Sequence, residues 1–472
     1  MVDTERPRHV FMAEESLEGW IRRENARAEL YLLRNVSPQG ARPGAIIASP
    51  SRSNPDYYHH WVRDAGIVVR AILQLYRAAR EPAARLRCFE RMMEFVDFSR
   101  HIQQTAVQGG TGLGEPRFYV DGSPYTGPWG RPQDDGPAIR AIELTHLAFN
   151  LLEEGRRGLV QELLYDATLP TGSVIKADLE YTAHRWPATC YDAWEEVLGH
   201  HFFTRLLQRK ALVEGAALAA RLDDPGAAGF YLEQARSLDN ELRRHWDPER
   251  ELLVSILDQQ TDPPRSGLDS SVIIATLGGY SIEDHELYGE DLFPVDHEQV
   301  LATAAKQKRT FQSLYPINDP ARGVAGIAIG RYPEDRYDGY RTDSIGHPWP
   351  SLTIGFAMYH YKLAMRYRRR RKVVVTPTGL PFFQGLPGES AQIEPGEELL
   401  EGDPRLERLV DALLREGDAF LARVRHHMNP DGSMSEQMNR FTGFQQGAAH
   451  LSMNYAAFLL ATEMRRYLLS PT

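Results

Sequence analysis

The sequence predicts a mostly helical, all-α chain that carries its chemistry in loops. Three observations predict this. Ten segments place apolar residues at helical spacing, strand signals are few, and the segments between helices are long and rich in glycine and proline.

The first helix is expected over residues 15–34, where Leu17, Trp20, Ile21, Ala28, Leu30 and Leu33 alternate with charged positions. Further helices are expected at 64–80, 86–106, 137–155, 191–222, 226–246, 297–314, 349–371, 404–427 and 447–468. The basic run Arg366–Lys372 falls at the end of one of them, where positive charge opposes the negative end of the helix dipole. Between the helices lie loops at 36–56, 108–136, 261–268, 316–348 and 373–404. Ordered loops of that length are usually functional. No segment has the composition of a flexible linker, and no fixed-period repeat is visible.

Composition narrows the function. The chain has 472 residues, 42% hydrophobic and 25% charged, enough to bury a large core without covalent staples. A net charge of −10 argues against nucleic acid, which needs a concentrated positive surface. No apolar stretch approaches membrane-spanning length. The N-terminus, MVDTERPRHVFMAEES, lacks a basic region followed by an apolar run. Two isolated thiols, Cys88 and Cys190, fit a reducing compartment. The chain therefore reads as cytoplasmic, with secretion after removal of a signal left open. Nucleotide, zinc-protease and serine-hydrolase motifs are missing, and the histidine pairs 59–60, 200–201 and 426–427 lack metal-ligand spacing.

Three constellations can carry chemistry. Tyr57–Asp64, Gly127–Gly136 and Gly330–Asp335 each mix aromatics with an Arg and an Asp. A pyranose needs that mixture: ring faces stack on aromatics, and hydroxyls take planar polar partners. Helix capping by Asp64 and Asp335 is the plainer alternative. The second constellation is Asp192-Ala193-Trp194-Glu195-Glu196, expected at the start of a helix. Adjacent helical residues point about 100° apart, so Glu195 and Glu196 would do different jobs, and Trp194 would raise a neighbouring carboxyl's pKa. A solvated acidic first turn fits those residues too. The third is the turn Asn429–Gln437, which offers Glu436. Glycoside hydrolysis with inversion needs one carboxyl to protonate the leaving oxygen and another to activate water. Glu195 and Glu436 are a candidate pair, although spacing alone does not bring them together.

Eight strings in order resemble glycoside hydrolase family 15, the glucoamylase family, in its fungal-type catalytic domain. They are AIIASPS (45–51), NPDYYHHWVRDAG (54–66), GLGEPRF (112–118), GPWGRPQDDGPAIRA (127–141), WEEVLGHHFFTRLLQRKALVEG (194–215), FQSLYPIND (311–319), IGRYPED (329–335) and GSMSEQ (432–437). The resemblance runs over about 16–468 and implies an (α/α)6 barrel of six inner and six outer helices, with long active-site loops at one end. It implies one catalytic domain over 1–472 with no starch-binding domain, no metal and no cofactor.

The implied activity is inverting, exo-acting hydrolysis of α-1,4 bonds, releasing β-D-glucose from soluble α-glucans, malto-oligosaccharides or glycogen by a monomer. The alternatives are the same chemistry on α-1,6 or trehalose linkages and, as a minor reading, a non-catalytic glucan-binding protein. By position, Glu195 is implied as general acid and Glu436 as general base. Tyr57, Trp61, Arg63, Asp64, Trp129, Glu196, Arg331, Asp335, Trp349 and Gln437 are implied to bind sugar or support the pair. Ala193, Met453 and a lengthened segment 335–349 depart from the family pattern. They are expected in outer or plus-side subsites, where they bear on chain-length and linkage preference and leave the pocket residues untouched.

Overall fold

The computed structural model describes residues 15–107, 110–169, 171–278, 292–388 and 393–470. Fourteen helices dominate them. Six form a closed inner ring: α2 (Val62–Ala78), α4 (Asp135–Glu153), α7 (Phe202–Arg221), α9 (Ser271–Thr276), α11 (Pro350–Arg370) and α14 (Ser452–Leu469). Each packs on the next, and α14 returns to α2. Outside them lie α1 (Leu17–Arg34), α3 (Pro82–Gln104), α6 (Val174–Arg185), α8 (Pro225–Arg243), α10 (Glu298–Leu314) and α13 (Pro404–His427). This is the (α/α)6 barrel. The short helices α5 (Arg157–Leu163) and α12 (Leu380–Gln384) stand beside it. The described strands have two to four residues and tie loops together.

The inner helices are buried nearly all round, and polar residues among them such as Arg140 and His146 are paired. Val68, Leu144, Leu218, Ile273, Phe356 and Phe458 are buried in one core cluster that runs from Trp20 to Leu468. The outer helices α1, α8, α10 and α13 are amphipathic. In α13, Leu406, Leu409, Val410, Leu413, Phe420, Leu421 and Val424 form the buried stripe. At its start Asp403 accepts from the backbone N–H of Arg405, and a proline holds the first turn.

Two expected helices start later than their periodicity suggests. Residues 191–201 are not helical: Cys190–Tyr191 pairs with Leu198–His201, and α7 begins at Phe202. The side chain of Asp192 closes that hairpin by accepting from the N–H groups of Glu196 at 2.7 Å and Val197 at 3.1 Å. Likewise α14 begins at Ser452, because Gln437–Met438 pairs with Gln445–Gln446 and the chain turns at Gly447, φ +75°. Helices α5, α6, α9 and α12 are additions to the expected set. In α6 the buried positions include Lys176 and Asp178, which pair with Asp224 and Arg140, so its apolar period is broken. In α9 the β-branched run Val-Ile-Ile masks a helix that its neighbours impose.

The basic run closes α11 as expected. Arg371 takes the left-handed conformation, and Arg366, Arg370, Arg371 and Lys372 pair with Asp296, Glu401 and Glu398. Cys88 and Cys190 are buried and unpaired. No helix among the described residues is long and apolar enough to cross a membrane.

Candidate active site

The loops that lead into the N-termini of the inner helices surround one cavity of about 470 Å³. Ile67, Phe203, Ile274 and Leu352, from α2, α7, α9 and α11, line it beneath the loops. Glu195 precedes α7, the third helix of the ring, and Glu436 precedes α14, the sixth. The two glutamates therefore stand across the ring from each other, and both line the cavity. Inner-helix dipoles point their positive ends at this end of the barrel, which favours the carboxylates gathered there.

The Glu195 wall is built from three loops. The indole N–H of Trp61 donates to Glu195 Oε1 at 2.7 Å, the Gln133 amide at 3.2 Å and Arg63 Nη2 at 3.4 Å. Every hydrogen bond to Glu195 among the described residues converges on Oε1. Arg63 is fixed in turn by Gln133, Asp135 and Asp64. Burial pushes the Asp64 carboxyl up to about 6, and the Arg63 guanidinium restrains the rise.

Glu196 differs from its neighbour. It accepts from Arg331 at 2.9 Å, Tyr332 at 2.5 Å and Arg265. Burial alone would raise it, but the two guanidiniums hold it below the usual carboxylate value. Asp335 grips Arg331 through two hydrogen bonds of 2.9 and 2.5 Å from behind the cavity wall. It is neither a helix cap nor a lining residue.

Across the cavity, Glu436 is fully buried. The Tyr57 hydroxyl donates to Oε1 at 2.8 Å and the Tyr337 hydroxyl to Oε2 at 3.1 Å; the two hydroxyls lie 2.9 Å apart. Burial dominates and pushes Glu436 up to about 7 despite these donors and Arg331. Gln437 reaches Glu436 indirectly: its amide donates to the Tyr337 carbonyl at 3.3 Å.

Trp129 and Trp349 line the cavity too, Trp129 beside Trp61 and Trp349 beside Trp194. Trp194 donates to Asp269 at 2.9 Å. Trp194 is the apolar neighbour expected to raise a carboxyl's pKa; the indole that meets Glu195 is that of Trp61. No group of three or more metal-ligating side chains gathers among the described residues.

The family model of glycosyl hydrolases family 15 matches residues 26–463. The chain belongs to that family. It is a glycoside hydrolase. Blastobotrys adeninivorans glucoamylase is 33% identical over 464 residues, 96% of this chain and 73% of that one. Rhizopus oryzae glucoamylase 1 is 32% identical over 450 residues, 95% of this chain and 71% of that one. The solved structure of Saccharomycopsis fibuligera glucoamylase matches with a TM-score of 0.87 at 31% identity, over 97% of both chains.

The residues that depart from the family 15 pattern lie at the cavity. Ala193 and Met453 line the same cavity as the two glutamates, and Tyr337, from the lengthened segment, is bonded to Glu436. Gln133, Asp135 and Tyr332 sat inside recognised strings without a role. Arg265 had no motif around it, and Asp192 opened the second constellation without a role of its own. Their contribution is a contact made in three dimensions, for which a single sequence carries no sign.

Proposed function

We propose that this family 15 enzyme removes glucose from the non-reducing ends of α-1,4-linked glucans and malto-oligosaccharides, with inversion at the anomeric carbon. The supporting observation is the pair Glu195 and Glu436, set across the ring and lining one cavity in different hydrogen-bond surroundings. In this reading Glu195 Oε2 donates its proton to the glycosidic oxygen as the C1–O bond breaks. Glu436 takes a proton from the water that attacks C1 from the opposite face. The sugar leaves as the β anomer, and the second sugar keeps the oxygen.

Arg63 and Asp64 bind hydroxyls of the terminal glucose, between Tyr57 and Trp61. Glu196, kept ionised by Arg331 and Arg265, holds hydroxyls near the cleaved bond, with Trp129 and Trp349 as apolar walls. The closed floor supports exo action, because a chain end enters such a cavity and a chain middle does not. One core cluster from Trp20 to Leu468 supports treating residues 1–472 as one catalytic domain.

Proton NMR during early hydrolysis of maltotriose tests the reading. β-Glucose before mutarotation is the expected result. α-Glucose would mean retention and a nucleophilic carboxylate, against the assignment of Glu436. Silence on maltotriose with turnover of isomaltotriose or trehalose would keep the mechanism and replace the linkage.

A further inference from the structure

The lengthened segment between Arg331 and α11 is a built structure. Asp338 Oδ1 accepts from the N–H groups of Tyr340 at 2.9 Å and Arg341 at 2.8 Å, and Asp338 N–H donates to the Arg341 carbonyl at 3.0 Å. Ser344 N–H closes the base of the loop on the Arg336 carbonyl at 2.9 Å. The loop is stitched to the hairpin that carries Glu436. Gln446 donates to the Asp338 carbonyl at 2.5 Å, Arg440 to the Gly346 carbonyl at 3.2 Å, and Met438 N–H to the Pro348 carbonyl at 2.8 Å. Where the two strips touch, both residues are glycine: a Cβ on Gly339 would stand 2.9 Å from Gly447 Cα.

This frame holds Tyr340 in a definite place. The residue lines the cavity, yet 54% of its surface is exposed. No aromatic or cationic partner takes its ring among the described residues. Tyr337, three residues earlier, reaches the base. Tyr340 therefore stands at the mouth, where the cavity meets solvent. A tyrosine left uncovered by so many hydrogen bonds presents an apolar face to whatever enters. The axial C–H face of a pyranose complements such a ring.

We propose that Tyr340 is the platform for the sugar beyond the cleaved bond, and that it sets this enzyme's dependence on glucan chain length. The inference rests on the α-1,4 exo-hydrolase reading above. The terminal glucose fills the closed end of the cavity, so the second and third units must pass the mouth. Stacking there stabilises long substrates and does nothing for a substrate with no second sugar.

The test compares kcat/KM on maltoheptaose and on α-D-glucosyl fluoride, which lacks a second sugar, for wild type, Tyr340→Ala and Tyr340→Phe. Tyr340→Ala is expected to lose about 10-fold more on maltoheptaose than on the fluoride. Tyr340→Phe, which keeps the ring, is expected to recover most of that difference. Equal losses on both substrates would mean that the residue only supports the loop and Tyr337, and would overturn the proposal. So would no loss on maltoheptaose, or a Phe variant as poor as Ala. If wild type leaves maltoheptaose untouched, the α-1,4 reading fails and this inference falls with it. Normal wild-type turnover with an unaltered ratio sinks this inference alone.

Discussion

Glu436, in the loop before α14, and Glu143, inside α4, are both fully buried carboxyls, and burial raises both, to about 7 and about 8. Their settings have little else in common. Glu436 lines the cavity and takes hydrogen bonds from Tyr57 and Tyr337. Glu143 lies two turns inside α4, away from the cavity lining. Neither of its oxygens has a hydrogen-bond partner among the described residues, and Arg70 stands 3.5 Å away. Arg70, His146, Glu214 and Lys210 continue this buried ionic cluster between α2, α4 and α7. A raised pKa marks both places, so it does not by itself identify a catalytic group. Access to a cavity and donors suited to the charged form separate them.

The sharpest test of that contrast is loss of the carboxylates. Glu195→Gln and Glu436→Gln should each lower kcat by roughly 10² to 10⁴, the usual contribution of acid–base catalysis, with maltose binding largely kept. Glu143→Gln should leave turnover near wild type. Steady-state kinetics with calorimetric maltose titration decides it, and a fully active Glu436→Gln would end the base assignment.

Geometry at the base should show next. Gly447 has φ +75°, and a Cβ there would stand 2.5 Å from Glu436 Oε2. Gly447→Ala is expected to displace the carboxylate and cost about 10²-fold in kcat, as a misplacement of about 1 Å does. A kcat within a factor of two of wild type would show that the base tolerates movement.

The pH profile gives a smaller signal. Glu436 must be ionised to accept a proton, so kcat/KM should fall as pH drops through about 7. Tyr57→Phe removes a donor that favours the ionised form. The acid limb should therefore move to higher pH, by about one unit. A limb that stays put, or moves down, would separate it from Glu436.

The smallest effect belongs to Glu143. It keeps its proton in the folded chain up to about 8, whereas an unfolded glutamate loses it near 4.5. Between those values the folded state binds the extra proton, so stability falls as pH rises. Glu143→Gln cannot ionise. Its melting temperature should drop less than wild type's from pH 5 to pH 8, and parallel curves would remove Glu143 from the account.

The helices were largely legible in the sequence. Helix α13 matches its expected span, and α10 and α11 begin and end within a residue of theirs. Packing makes those helices periodic, and period is visible in one dimension. Helix α6 was hidden because its buried Lys176 and Asp178 are satisfied by residues far away in sequence. The Glu195–Glu196 stretch was expected on a helix and lies instead in a hairpin closed by the Asp192 side chain. The two wall-building arginines show the same limit. Arg331 sits in a recognisable string, but Arg265, which shares Glu196 with it, sits in an ordinary proline-rich loop.

Glu195 takes a left-handed backbone conformation, φ +69°. For a residue with a side chain this costs about 1 to 2 kcal/mol, which glycine does not incur. The backbone at this position thus leans toward glycine, and the donors Trp61, Gln133 and Arg63 that meet the carboxylate weigh against that lean. In a lineage released from hydrolysis, where the donors of this wall are free to drift, the lean toward glycine at 195 would go unopposed, with the barrel and the opposite carboxylate left intact. The hairpin at 192–197 is where such a lineage would record that its work had ended.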